Sequence, residues 1–145
     1  MQIKLAADCP LDLALAVADS IGMRNGLPDA DHENTMTFEW GEYNYGWDGW
    51  YHDNPDLTDQ LRAEGIGYII DCGANEEIMA CMVWWYPGLE DEQYRTLTPD
   101  GIVCMDADHF HALMRDKNLP GGLLGRVQDY FTTPPRTPHP PTKEA

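Results

Sequence analysis

Apolar residues recur along this chain at two spacings, and the changes of spacing divide it into elements. In "MQIKLAA", Ile3 and Leu5 lie two apart and predict a first strand with both on one face. In "CPLDLALAVADSIGMRNG", Leu11, Ala14, Leu15, Ala18 and Ile21 recur at helical spacing and predict one apolar stripe. Pro10 suits the first turn of that helix, and Asn25-Gly26 fits its stop. Residues 27–35 read as a loop. "MTFEW" then predicts a second strand that buries Phe38 and Trp40.

Further along, Asp48-Gly49 between Trp47 and Trp50 is a two-residue hairpin signal. Tyr43, Tyr45 and Trp47 alternate at period two and would share a face. "DNPDLTDQLRAEG" predicts a short helix with Asn54 as cap, Pro55 in first position and Gly65 at the end. "GYIIDC" and "EIMACMVWWYP" predict two antiparallel strands joined at Gly73–Glu76, with Trp84 and Trp85 on opposite faces and one of them in the core. "GLEDEQ" reads as an acidic loop, and "YRTLTPDGIVCM" holds more strand. "DADHFHALMRDKN" predicts a helix capped by Asp106, and "LPGGLLGRVQDYF" a last helix interrupted by glycines.

Together these elements predict a single α+β domain over residues 1–131, with a mainly antiparallel sheet, an N-terminal helix and two C-terminal helices. From Thr132 the chain reads "TTPPRTPHPPTKEA" and holds five of the 11 prolines. Residues 132–145 are expected to form a flexible, polyproline-type tail in solvent. At 145 residues, the chain is long enough for a hydrophobic core without metal or disulfide staples.

Charge changes this picture more than composition does. The net charge is −16. Sixteen of the 25 acidic residues lie between Arg24 and Arg95, against one of the nine basic residues, Arg62. That span therefore carries −15, and the flanks are nearly neutral. A generally acidic proteome would also favour Asp and avoid Lys, but would spread acid over the whole surface. Such a charge disfavours direct contact with nucleic acid or anionic membranes. The longest apolar run, Ile78 to Tyr86, cannot span a bilayer, and Asp8 and Asp12 interrupt any signal-peptide apolar region. A cytoplasmic protein is expected.

Enzyme chemistry finds little support. The Gly-rich phosphate loops and the G-x-S-x-G elbow are absent. Cys104 lies near His109 and His111 in sequence, but reads as a buried strand residue. The two histidines diverge by about 200° on a helix and cannot chelate one ion together. Asp29, Asp31 and Glu33 resemble the start of a calcium loop, yet its sixth position is Asn34 and its twelfth is Trp40. No cofactor and no metal are expected. Cys9, Cys72, Cys81 and Cys104 form no Cys-x-x-Cys pair and are expected to be reduced and mostly buried. A turn at Gly73–Glu76 would set Cys81 opposite Tyr68, not opposite Cys72.

What remains is "WGEYNYGWDGWYHDNPD", Trp40 to Asp56, which mixes three Trp, three Tyr and four acids with no Lys or Arg. Carboxylates beside Trp and Tyr suit a gripping surface: the rings supply desolvated anchors and the charges supply register and rate. The expected partner-binding residues are Glu42, Tyr43, Tyr45, Trp47, Asp48, Trp50, Asp53, Asp56, Asp59, Glu90, Asp91 and Glu92. The expected partner is a positively charged protein that itself handles nucleic acid, with the acids standing in for phosphates. A toxin immunity protein and a phage-type antagonist of restriction or CRISPR machinery both fit. The alternative is a small hydrolase or carbohydrate-binding module that uses the rings of residues 40–51.

Overall fold

The computed structural model describes residues 2–23, 26–39, 56–72, 80–98, 100–116, 118 and 121–141. Six strands form one antiparallel sheet: β1 (Gln2–Ala6), β2 (Thr35–Glu39), β3 (Tyr68–Cys72), β4 (Ala80–Trp85), β5 (Gln93–Leu97) and β6 (Val103–Cys104), in the order β2-β1-β3-β4-β5-β6. Four helices among the described residues accompany it: α1 (Leu11–Ser20), α2 (Leu57–Ala63), α3 (Ala107–Arg115) and α4 (Gly122–Tyr130). The molecule is an α+β domain with one N-terminal and two C-terminal helices, as the spacing predicts.

Strand alternation builds the core. Cross-strand pairing lines up Phe38, Ile3, Ile70 and Val83 in one row, and Met36, Leu5, Tyr68 and Trp85 in the next. All eight are buried on the face that meets α1 and α2. Leu13, Ala14, Val17 and Ala18 of α1 and Leu57 and Leu61 of α2 close over them. Truncating a ring in these rows, such as the fully buried Phe38, would cost about 3–5 kcal/mol through the cavity left behind.

Three details of the expected fold are corrected. The first is the face of α1. Its buried stripe is Leu13, Ala14, Val17, Ala18 and Ile21, and Leu11 and Leu15 are 66% and 48% exposed. The segment is apolar almost all round, so two stripes compete on spacing alone. The helix also ends earlier than Asn25-Gly26. Gly22 takes the left-handed conformation (φ 73°), and Gly22 N–H and Met23 N–H bond back to Asp19 and Ala18. This Schellman closure satisfies the last carbonyls. Gly65 ends α2 in the same way, with Gly65 and Ile66 bonding back to Arg62 and Leu61.

The second correction concerns register. Cys72 pairs with Cys81 and Tyr68 with Trp85, four residues beyond the register expected from a turn at Gly73–Glu76. An even shift keeps every side chain on its expected face, so alternation alone cannot detect it. Packing favours the observed register because it sets the Trp85 ring against Tyr68, 6.4 Å between centroids, in the core. Residues 73–79 lie outside the described residues, as do Trp40, Asn25, Asn54 and Pro55.

The third correction concerns the C-terminal segment. Over residues 132–141 it is laid on the second face of the sheet instead of standing off in solvent. Pro138 is fully buried, and Gly67 lies directly against its carbonyl. Lys4 Nζ donates to the Arg136 carbonyl (3.3 Å), and His139 Nε2 donates to the Asn34 carbonyl (3.1 Å). The reason is the second sheet face itself: Ile69 and Trp84 are apolar, belong to inner strands and need a cover that α1 and α2 cannot provide. Residues 142–145 lie outside the described set. Both tryptophans of the pair are therefore buried, Trp85 under the helices and Trp84 under this strap.

Candidate acidic docking face

Of the twelve expected partner-binding residues, Glu42, Tyr43, Tyr45, Trp47, Asp48, Trp50 and Asp53 lie outside the described residues. The other five are placed. Asp56 is exposed at the start of α2 and carries no capping hydrogen bond. Asp59 is exposed on the first turn of the same helix. Glu90 and Asp91 are exposed on the loop between β4 and β5. Glu92 is half-buried where that loop enters β5.

The fold brings Asp59 and Glu92, 33 positions apart in sequence, onto one arginine. Arg62 Nη1 donates to Glu92 Oε2 (3.0 Å) and to the Tyr68 hydroxyl (2.5 Å), and Arg62 Nη2 pairs with Asp59. The Tyr68 hydroxyl in turn donates to Glu92. Tyr68 is completely buried, so its phenol must find a partner inside the protein. Burial, followed by the hydrogen bond to Glu92 and its charge, pushes the Tyr68 hydroxyl far above its ordinary range. Burial alone would lower Arg62, but Tyr68, Glu92 and Asp59 outweigh it and leave the guanidinium more firmly protonated than usual. Glu92 is thus a structural acid that anchors the β4–β5 loop to α2. Its neighbours Glu90 and Asp91 are exposed on the loop that this anchor ties to α2.

The structure adds acids that the sequence pattern had assigned no role. On α1, Leu11, Asp12, Leu15 and Asp19 fall within an arc of about 100°, opposite the buried stripe. The helix carries no basic residue. A cleft of about 540 Å³ runs along this arc, bordered by Asp12, Leu15, Asp19 and Met23. Asp8 is exposed just before it. Cys9 feels the same field: burial first, then Asp8 and Asp12, push its thiol up to about 11. α1 and α2 pack on one face of the sheet, so the two acidic arcs belong to one helical layer. Within the described part of that layer the only cation is Arg62, already bound to Asp59 and Glu92. The signal that could have located the α1 arc was the competing apolar stripe; it leaves Leu11 and Leu15 exposed beside acids.

The cations gather on the other side of the sheet. Lys4 and Arg95 lie on its second face, Arg126 neighbours Arg95, and Arg136 belongs to the strap. Asp71 and Asp129 accompany them, and α3, packed on α4, brings Asp106, Asp108 and Asp116 to the same side, so that side carries both signs. The fold therefore sorts its cations by layer as well as by sequence segment.

The groups once weighed for catalysis have local partners. Cys104 Sγ bonds the Thr96 carbonyl at 3.5 Å, and the His109 ring packs on Tyr130 at 4.9 Å. Asp106 Oδ1 accepts the His109 backbone N–H (2.7 Å), which makes it the expected helix cap. Asp31 Oδ1 accepts the N–H groups of Glu33 and Thr35 and so closes a turn. Among the described residues no three His, Cys, Asp or Glu side chains converge in a way that could hold a metal ion, and no helix is long and apolar enough to cross a membrane.

Comparison with known protein families, with characterised proteins and with solved structures gives no match to this chain.

Proposed function

We propose that this chain is a non-enzymatic inhibitor that acts in the cytoplasm by binding a positively charged, nucleic-acid-handling protein, and that its acidic helical layer is the docking face. The observation that carries the reading is the layered charge. The arc of α1, the exposed side of α2 and the β4–β5 loop together present Asp12, Asp19, Asp56, Asp59, Glu90 and Asp91, and their one cation is internally neutralised. Leu11 and Leu15 stand within that field as exposed aliphatic anchors. A basic partner gains on-rate from the acids and residence time from the anchors. The partner is a nuclease-type toxin in an immunity setting, or a restriction or CRISPR component in a phage setting.

The test begins with capture of the partner from the source cell or its host, followed by kinetics on the purified pair. The association rate should fall steeply with ionic strength while dissociation changes little. Asp12→Asn, Asp19→Asn and Asp56→Asn combined should slow association, with unfolding temperature unchanged or raised as like-charge repulsion is relieved. Leu15→Ala should weaken affinity by about 1–2 kcal/mol with little loss of stability, because its side chain is half exposed in the free protein. An association rate flat in salt, or a triple variant that binds like the wild type, would refute the reading.

A further inference from the structure

A sizeable space lies on the opposite side from the acidic face. Between the second sheet face and the strap is a cavity of about 630 Å³, the size of a small-molecule site. Trp84, Tyr86 and Leu89 and the strap prolines Pro135, Pro140 and Pro141 give it apolar walls. Arg95 opens into it.

The state of that arginine is unusual for a chain with 25 acids. Arg95 is half-buried, with its guanidinium stacked against the rings of Trp84 (5.2 Å) and Tyr130 (4.4 Å). Nε donates to the Tyr130 carbonyl (2.8 Å) and Nη1 to the Tyr94 carbonyl (2.7 Å). These bonds fix the group in place but leave its charge uncompensated. Among the described residues the arginine ion pairs are Arg62 with Asp59 and Glu92, and Arg136 with Glu33; Arg95 makes none, and its Nη2 has no hydrogen bond. Desolvation lowers its pKa; Tyr130 opposes that shift and neighbouring Arg126 adds to it, so the net effect is a guanidinium less firmly protonated than usual. Arg136 and His139 add positive or donor character to the rim, and Asp129 is the one carboxylate that borders the space. A positioned guanidinium with a spare donor edge, set in apolar walls, matches an anion with an apolar body.

We infer that the space under the strap is a binding site for a small organic carboxylate, held by Arg95 at its charged end and by Trp84 and Tyr86 along its apolar body. The site is independent of the inhibitor reading, since it uses the other face of the sheet. The net charge of −16 does not forbid it: at physiological salt, charges beyond about 8 Å are largely screened, and the space is bordered by Arg95 and Arg136 against the single carboxylate of Asp129.

The probe pair is benzoate and benzamide, alike in shape and different in charge, titrated into the full chain and followed by backbone and indole amide NMR shifts. Benzoate should shift the Trp84 indole, Arg95, Arg136, Thr137 and His139, and bind at least about tenfold tighter than benzamide, the value of one charge-assisted contact. Arg95→Gln should abolish that preference while leaving any benzamide binding in place. The glutamine variant loses the bond to the Tyr130 carbonyl and can fail to fold; the benzoate-to-benzamide ratio on the unaltered protein then decides alone. Equal binding of the two probes, shifts centred elsewhere, or no shift for either would overturn the assignment.

Discussion

Gly67 lies one residue ahead of β3, and its carbonyl accepts the Ala6 N–H at 3.0 Å. A methyl group placed on it would lie 1.8 Å from the Pro138 carbonyl oxygen and 2.9 Å from its carbon. The obstacle is backbone, not the end of a flexible side chain, so Gly67→Ala must push the strap off the sheet or deform β3. Overpacking of this kind costs about 1–3 kcal/mol, or roughly 3 °C of unfolding temperature per kcal/mol at this chain length. Gly67 has no left-handed φ to defend. Once the strap is gone, the same substitution should be neutral, or stabilising by about 0.4–1 kcal/mol through the unfolded chain. The sign of the effect should therefore reverse between the full chain and a chain ending at Phe131. Limited trypsin digestion gives a second readout: the bond after Arg136 should be cut faster in Gly67→Ala than in the wild type. Gly65→Ala serves as the control. Gly65 has φ +72° and open space around its Cβ position, so alanine should cost about 1–2 kcal/mol in backbone strain and leave cleavage at Arg136 unchanged. A Gly67→Ala protein with wild-type stability and wild-type cleavage would refute the docked strap.

The remaining expectations concern titratable groups. Glu92→Ala leaves the buried Tyr68 O–H without its acceptor and should cost about 1–3 kcal/mol in chemical denaturation, whereas Glu92→Ala added to Tyr68→Phe should cost less than the sum of the two; strict additivity would mean the groups do not interact. Because the folded state raises the Tyr68 pKa, its contribution is complete below the ordinary phenol value of about 10 and is lost as pH climbs beyond it. Tyr68→Phe should therefore flatten the alkaline fall in stability, and an unchanged alkaline slope would count against the buried phenol. The Asp71 carboxyl is raised by burial, with Lys4 only partly opposing, so the ionised form is disfavoured in the fold and Asp71→Asn should raise the unfolding temperature at pH 7; a fall would show that the carboxylate has a structural partner. Alkylation of Cys9, resolved by mass spectrometry, should reach half its maximal rate near pH 11, and a midpoint near the ordinary thiol value would mean that burial and Asp8 do not act on it.

Much of the architecture was legible because strand alternation is a strong local signal. Ile3 with Leu5 marked the inward face of β1, and Asp106 marked the start of α3 at its true position. What failed to read out was whatever depends on distant neighbours. Choosing between Leu11/Leu15 and Leu13/Val17 requires knowing which side of α1 meets the sheet. Choosing the Cys72–Cys81 register over its neighbour four residues away requires knowing that Tyr68 will pack on Trp85. The proline-rich segment looks like solvated tail by composition, yet it is recruited because Ile69 and Trp84 leave the second sheet face apolar. The candidate acidic face was half visible. The charge excess of the middle segment is in the sequence, but Asp12 and Asp19 join it only through the packing of α1 beside α2. Glu92, which looked like one more surface acid, turns out to serve a buried tyrosine.

The two faces of the sheet solve an electrostatic problem that the sequence poses. A charge of −16 on 145 residues opposes compaction wherever like charges lie within a Debye length of about 8 Å. The cations could relieve this by lying among the acids, but then the field over the helical layer would vanish. Instead Lys4, Arg95 and Arg136 lie on the far side of the sheet, separated from the acids of α1 and α2 by a packed layer roughly 10 Å thick, where screening leaves little attraction between the two sets. The one cation among the described residues of the acidic layer, Arg62, is consumed by Asp59, Tyr68 and Glu92. The molecule thus has a direction as well as a net charge. Uniform charge would attract a basic partner from any side and leave orientation to chance. In the proposed role, a charge sorted by layer would turn the helical face toward a basic partner before contact, so that Leu11 and Leu15 arrive first. Stability is kept by the same arrangement, because the strap that shelters the cations also covers the apolar face on which they stand.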